Sequence, residues 1–345
     1  MKALVYRGLK KLQIDTVELP DMGVHDVQVS LTYCGVCGTD HHIYSGAGGA
    51  FEVKPPLIMG HEFSGIVEKV GSAVMGIQEG DLVTVDPNNM CGQCYFCNNA
   101  QGQFCENIIG IGTTVDGGFA ENIVVDQKQV YKFKKGVDPL IASMTEPVSC
   151  CVHGIDLCHI KLGDEVLIIG GGPIGLIMLQ LAQMAGAGKV VLSEPVEEKR
   201  VLAKKLGADI TIDPLTEDVG SILSSRCENI NVVIECVGNT KTIENALQWA
   251  GYGATVMLFG LTSPHETVSI APEVVFKKEL KLTSSFINPY TFKRAISILE
   301  SGKLNVKDLI TDIVPLASCS EVFEDPSYRR RGKVVVELTK EVTIK

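Results

Sequence analysis

The 345-residue sequence has no uninterrupted apolar run long enough to span a membrane. Its most apolar stretch, Val166–Met184, is broken by Gly170, Gly171, Gly172, Pro173 and Gly175, and a buried strand followed by a buried helix accounts for it. A basic stripe is also missing. There are 31 Lys and Arg against 41 Asp and Glu, a net charge of −10, which argues against nucleic acid or an anionic membrane as partner. Met1–Lys10 carries Lys2, Arg7 and Lys10 but no apolar core, so it does not read as a signal peptide, and a cytoplasmic, reducing compartment is expected. Disulfides are then a poor default for the 12 cysteines, and metal ligation is the better reading for clustered ones. Internal repeats and low-complexity tracts are absent.

What is present is an ordinary globular composition, 45% apolar and 21% charged, in a chain whose length suits two domains. Up to about residue 145 the pattern is β-rich. Lys2–Tyr6, Leu12–Glu18, Val27–Tyr33, Phe63–Val70, Leu82–Val85 and Phe119–Val125 alternate apolar positions between Gly, Pro and Asp breaks. Near Cys150 the character changes. Strands at Val166–Ile169, Val190–Leu192, Ile210–Ile212, Val232–Cys236 and Thr255–Phe259 interleave with helices at Pro173–Ala185, Val196–Leu206 and Ile243–Ala250. That succession predicts an α/β unit with a parallel sheet. A helix at Tyr290–Ser301 and a strand at Lys333–Glu337 close the chain, and this last stretch is expected to return to the first domain.

Cys91, Cys94, Cys97 and Cys105 form a C-x2-C-x2-C-x7-C cluster. Zinc holds four thiolates in a tetrahedron, and four protein sulfurs leave no open position, so this pattern predicts a structural zinc. Disulfide-bonded thiols and an iron–sulfur cluster are the other readings. Three further segments carry metal-ligand residue types: Cys37 in Gly35-Val-Cys-Gly-Thr-Asp-His-His42, His61 and Glu62 in Gly60-His-Glu62, and Glu146 in Thr145-Glu-Pro147. Singly each is weak. A lone Cys is usually a buried apolar residue, a lone His a satisfied polar one, and Glu146 before proline could end a strand or cap a helix.

Gly170-Gly-Gly172-Pro173-Ile174-Gly175 matches G-x-G-x-x-G between the expected strand and helix. The glycines allow a tight turn and close approach of a pyrophosphate, and the helix N-terminus offers free amides to it. Glu194 ends the second strand about 20 residues on, where an acid accepts from a ribose 2′-hydroxyl and repels a 2′-phosphate, favouring NAD. Arg200 is close enough in sequence to contact a phosphate, which leaves NADP open. The bland alternative is a glycine-rich turn in some other α/β fold.

The order of these motifs along the chain resembles the zinc-containing medium-chain dehydrogenase family. Glutamate rather than cysteine at position 146 makes it most similar to the sorbitol and threonine dehydrogenase branch. The resemblance implies a β-rich GroES-like catalytic domain from residues 1–149 and 287–345, and a Rossmann doubly wound parallel-sheet domain from residues 150–286. It implies two zinc ions per chain, the catalytic one on Cys37, His61 and Glu146, with Glu62 as direct ligand or exchanging with water. Thr39 would carry the proton-relay hydroxyl and His42 would pass the proton toward solvent. Asp40 would orient the histidine ligand, and His41 reads as a solvated loop residue. The turns Cys236-Val237-Gly238 and Leu258-Phe259-Gly260 would flank the nicotinamide, or be simple strand-end turns. The active-site cleft would lie between the domains, lined by Tyr44, Phe51 and Glu146. A homotetramer or homodimer built through the cofactor domains is implied.

The implied reaction is oxidation of a secondary hydroxyl of a polyol or related small polar alcohol to a ketone, with zinc acidifying the oxygen before hydride leaves. One thiolate and two carboxylates make a more anionic shell than two thiolates and a histidine, expected to weaken zinc's Lewis acidity and to bind the metal less tightly. The branch usually has an arginine near residue 285 for the polar end of the substrate. Ser284-Ser-Phe-Ile-Asn-Pro289 has none, and Asn288 is the remaining donor. L-threonine 3-dehydrogenase, a polyol-phosphate dehydrogenase and a non-catalytic member of the fold are the alternatives.

Overall fold

A computed structural model describes residues 1–47, 52–263 and 266–339. The chain separates into two compact units, Met1–Ser149 with Asn288–Lys345, and Cys150–Ile287.

The first unit is built on a sheet that is antiparallel except for the parallel pair Lys333–Glu337 and Ile310–Pro315. Its strands run in the order Val130–Lys132, Leu82–Val85, Glu62–Val70, Asp26–Gly35, Lys333–Glu337 and Ile310–Pro315, with Asn122–Asp126 also pairing Asp26–Gly35. Alternation makes the long strand: Val27, Val29 and Leu31 are each fully buried in one core with Phe63, Val67, Val83, Phe119 and Val336. Emptying such a position, Leu31→Ala for instance, is expected to cost about 2–5 kcal/mol. Register irregularities at Gln28/Val29 and Leu31/Tyr33 leave Gly35 opposite Glu62, while Val335 of the returning strand also faces Gly35. Three distant segments therefore converge just before Cys37. The helix Gly38–Ser45 follows directly, started by Asp40, whose carboxylate accepts from the Cys37 amide at 2.8 Å.

The second unit is a six-stranded sheet in the order Ile210–Ile212, Lys189–Ser193, Glu165–Ile169, Ile230–Glu235, Thr255–Leu258 and Lys281–Ser284. Every pairing is parallel. Its central strands are unbroken apolar runs, as strands covered on both faces should be. The first strand in sequence lies in the middle, so the order reverses between Glu165–Ile169 and Ile230–Glu235. That gap is the switch point of a doubly wound fold.

Helices at Val219–Arg226 and Pro272–Lys278 and the strand Lys281–Ser284 add to the expected elements. The strand expected at Phe119–Val125 is Asn122–Asp126. No helix among the described residues is long and apolar enough to cross a membrane.

Candidate active site

In the first unit, Cys37, His61 and Glu62 bring one ligand atom each to within 4.8 Å of one another. Cys37 comes from the end of the central strand, and Gly60 sets the turn before His61 with φ +90°. A side chain at Gly60 would strike Cys34 Sγ and the Phe119 ring. Behind His61 stands Asp40, fully buried, with Oδ1 3.6 Å from His61 Nδ1. Neither of these two atoms has a hydrogen-bond partner. Burial acts to lower the His61 pKa, but Asp40 and Cys37 outweigh it and hold the imidazole well above its ordinary value. Burial is also what pushes the Asp40 carboxyl up.

Glu146 lies in the first turn of the helix Thr145–Cys158 and is 8% exposed. It is outside the tight three-residue group, although its charge helps raise His61. Thr39 and His42 are both partly exposed on the helix Gly38–Ser45. Three residues apart, they share a helix face. Burial and then Arg329 hold the His42 pKa below its ordinary value. His41 departs from expectation. It is a helical residue, half-buried, with its ring 5.0 Å from Phe323. Burial, reinforced by Arg329 and His42, takes its pKa to about 4. Its partner is 282 positions away, so nothing local could mark it. Phe51 lies outside the described residues.

Asn288 also differs from expectation. It is fully buried, accepting from Asn88 Nδ2 at 2.7 Å and donating to Ser149 Oγ at 2.7 Å. Its amide is therefore occupied inside the first unit.

The sequence reading did not single out Lys333. It is 5% exposed, donates to Val36 O at 3.0 Å and pairs with Glu62 Oε2. Burial would lower its pKa, but Glu62 and Cys37 raise it. Gly35 leaves the space, since a side chain there would overlap both partners. The available signal was a lysine opening an otherwise apolar strand.

Cys91, Cys94, Cys97 and Cys105 also bring their sulfurs within 4.8 Å of one another. All twelve cysteines are free thiols. Gly92, at φ +74°, turns the loop, and Cys94 starts the short helix Tyr95–Asn98. Backbone amides of Gln93 and Cys94 draw the Cys91 thiol down to about 6, while desolvation pushes Cys97 up to about 12. Four sulfurs so close cannot all lose their protons without a cation among them.

Both donor sets fit zinc. A tetrahedron of ~2.3 Å bonds has edges of about 3.8 Å, inside the observed 4.8 Å limit. The mixed set offers sulfur, imidazole and carboxylate, all zinc ligands, and leaves a position open.

In the second unit, the turn Gly170–Gly175 joins the strand Glu165–Ile169 to the helix Pro173–Met184. Gly170 takes φ +101°, open space surrounds Gly172, and a side chain at Gly175 would overlap the Gly170 carbonyl. Pro173 and Ile174 open the helix, where a fixed φ suits the first position. Glu194 is 5% exposed; its carboxylate accepts from Gly171 N at 2.6 Å and Val196 N at 2.9 Å. Arg200 donates to the Glu194 and Pro195 carbonyls, both at 2.7 Å, and stands 3.4 Å from Asp213. Val237 packs over Gly170, and Phe259 over Gly154. Open room at the turn and an acid at the second strand end fit a dinucleotide.

A β-rich unit with clustered metal donors and a doubly wound parallel-sheet unit make up the architecture of a zinc- and nucleotide-linked oxidoreductase. Residues 23–135 match the model for the alcohol dehydrogenase GroES-like domain, and residues 173–301 the model for the zinc-binding dehydrogenases. D-arabinitol dehydrogenase 1 of Uromyces fabae is 32% identical over 98% of this chain and 97% of its own length. L-threonine 3-dehydrogenase of Pyrococcus furiosus is 36% identical over 93% and 94%. A candidate zinc-binding dehydrogenase from Sinorhizobium meliloti 1021, crystallised with NADP, superposes with a TM-score of 0.93 at 37% identity, covering 97% of this chain and 98% of that one. The chain belongs to the zinc-containing medium-chain dehydrogenases, enzymes that use NAD or NADP.

Proposed function

We propose that this enzyme oxidises a secondary hydroxyl of a polyol or related small polar alcohol to a ketone, with NAD accepting the hydride. The meeting of Cys37, His61 and Glu62 within 4.8 Å of one another, the last two buried, carries this reading. Cys37, His61 and Glu146 would hold the catalytic zinc, with Glu62 as direct ligand or exchanging with water, and Cys91, Cys94, Cys97 and Cys105 the structural one. Zinc in the mixed site supplies a positive charge that acidifies the alcohol hydroxyl. Asp40 fixes the orientation of His61. Lys333 pairs with Glu62 and fixes where its carboxylate stands. The Thr39 hydroxyl takes the substrate's hydroxyl proton as it gives up its own, and His42 passes that proton on to solvent. Kept below its ordinary pKa, His42 is neutral near pH 7 and free to accept.

At the other unit, Gly170, Gly172 and Gly175 cradle the pyrophosphate at the helix start formed by Pro173 and Ile174. Glu194 receives the adenosine ribose hydroxyls. Arg200 is held by two carbonyls and Asp213, which supports NAD over NADP. Val237 and Phe259 border the nicotinamide.

The relative named for D-arabinitol supports a polyol. The Pyrococcus relative favours L-threonine as a second reading, against which stands the lack of an arginine in Ser284–Pro289. A homodimer or homotetramer is proposed, supported by the unpaired edge of the strand Lys281–Ser284, where Leu282 is 47% exposed. The reducing cytoplasm suits twelve free thiols.

The test is reduction of NAD and NADP over polyols, diols, polyol phosphates and L-threonine, with Glu146→Ala as control. A polyol hit with NAD that the control abolishes is expected, with two zinc ions per chain. No turnover together with a single zinc sinks the catalytic assignment, and activity on L-threonine alone moves it to the second reading.

A further inference from the structure

Glu235 is a fully buried carboxylate at the end of the strand Ile230–Glu235. It stands in register with Ile169, the residue before the glycine turn, so it lies at the switch point where the strand order reverses. Among the described residues no cation is paired with it. Its partners are backbone groups of two neighbouring turns. Oε1 accepts from Val237 N at 2.8 Å and from Gly238 N at 3.0 Å, and Oε2 from Gly238 N at 3.2 Å. The Glu235 main-chain carbonyl accepts from both Phe259 N and Gly260 N at 2.9 Å. Oε2 also lies against Gly260, where an added Cβ would stand 2.8 Å from it and would overlap the Gly238 amide. A single residue thus gathers four amides from the turns after two adjacent strands.

An ionised carboxylate out of water is costly unless its oxygens are filled by donors. Here the donors are the amides whose direction sets the shape of the two turns. Ligands of open α/β sheets bind outside the carboxyl ends of the strands at the switch point. We infer that Glu235 is a positioning residue that locks the turns Cys236–Gly238 and Phe259–Leu261 into the shape that receives the nicotinamide half of the cofactor. This rests on the reading of this sheet edge as the NAD site. The adenosine half has its own supports, Glu194 and the Gly170–Gly175 turn, so the two halves can be tested apart. Glutamine at 235 retains one oxygen and turns an amino group against Gly238 N and Gly260, donor facing donor.

The experiment uses the intact, zinc-loaded protein, titrated with NADH by its fluorescence and with AMP by calorimetry. Glu235→Gln is expected to raise the NADH Kd at least tenfold and leave the AMP Kd within twofold. Glu235→Asp, one methylene short of Gly238, is expected to show a smaller loss of the same kind, and it serves if the glutamine variant does not fold. An NADH Kd within twofold of wild type overturns the inference. So does a parallel rise for both ligands, which marks a merely structural role. Wild-type protein that binds neither ligand overturns the NAD-site reading itself, and this inference with it.

Discussion

At the residue scale, most of the chemistry is concentrated in side chains that are buried and charged. Lys333 and Glu62 satisfy each other inside the first unit, so removing one strands the other. Lys333→Ala is expected to lower unfolding free energy by about 3 kcal/mol. Lys333→Met with Glu62→Gln should lose less than that single change, as read by urea denaturation. A double variant as unstable as the sum of its singles would sever the proposed coupling.

Asp86 behaves differently because burial, not a partner, dominates it. Its pKa is taken to about 7, with Asn88 and Asn288 pulling the other way. A carboxyl whose folded pKa lies above its unfolded value of about 3.9 binds more protons when folded. Its contribution is therefore favourable at low pH and is lost as pH rises from about 4 to 7, on the order of 4 kcal/mol in total. Asp86→Asn keeps the Oδ1 acceptor for Asn88 N and removes the titration. The variant should gain stability over wild type at pH 8 but not at pH 4. Equal differences at both pH values would contradict this.

At the element scale, the glycine turn and the helix it opens act as one piece. Gly175→Ala places a methyl on the Gly170 carbonyl and is expected to weaken NADH binding at least tenfold, about 1.4 kcal/mol. Undiminished NADH affinity in a fluorescence titration would show that the turn does not carry the cofactor. Strands and helices of the second unit were legible because apolar runs, glycine punctuation and 3.6-residue periodicity agree over 150–260. The helix Thr145–Cys158 was not. Pro147 and Gly154 are poor helix formers and its cysteines give no clear period, yet that helix is what carries Glu146 into the first unit. The donors Cys37, His61 and Glu62 could be named from their motifs, but their meeting depends on a strand register offset that no local pattern encodes. Glu235 and Lys333 were invisible for the same reason: each looks like an ordinary strand-end charge until its neighbours are known.

At the scale of the whole molecule, two metal-donor sets of different chemistry share one unit. The four-sulfur set gathers its thiols from one short loop. The mixed set offers one sulfur, one imidazole and one carboxylate. Prolonged chelation is therefore expected to remove zinc in two phases, with activity disappearing in the first and the fold in the second. Zinc content, turnover and circular dichroism followed together would check this. A single phase, with both metals and activity lost at one rate, would refute the difference in affinity.

The pairing of Glu62 with Lys333 spans 271 residues of chain. During synthesis at about 5–20 residues per second, roughly 14–54 s separate the appearance of the two partners. The whole second unit is made within that interval, since Cys150–Ile287 lies between them. The pocket around Cys37 and His61 thus has one wall still unmade while the ribosome works. A metal ion arriving early meets a half-built chamber, open to exchange, that closes only when the last strand slides in beside Gly35.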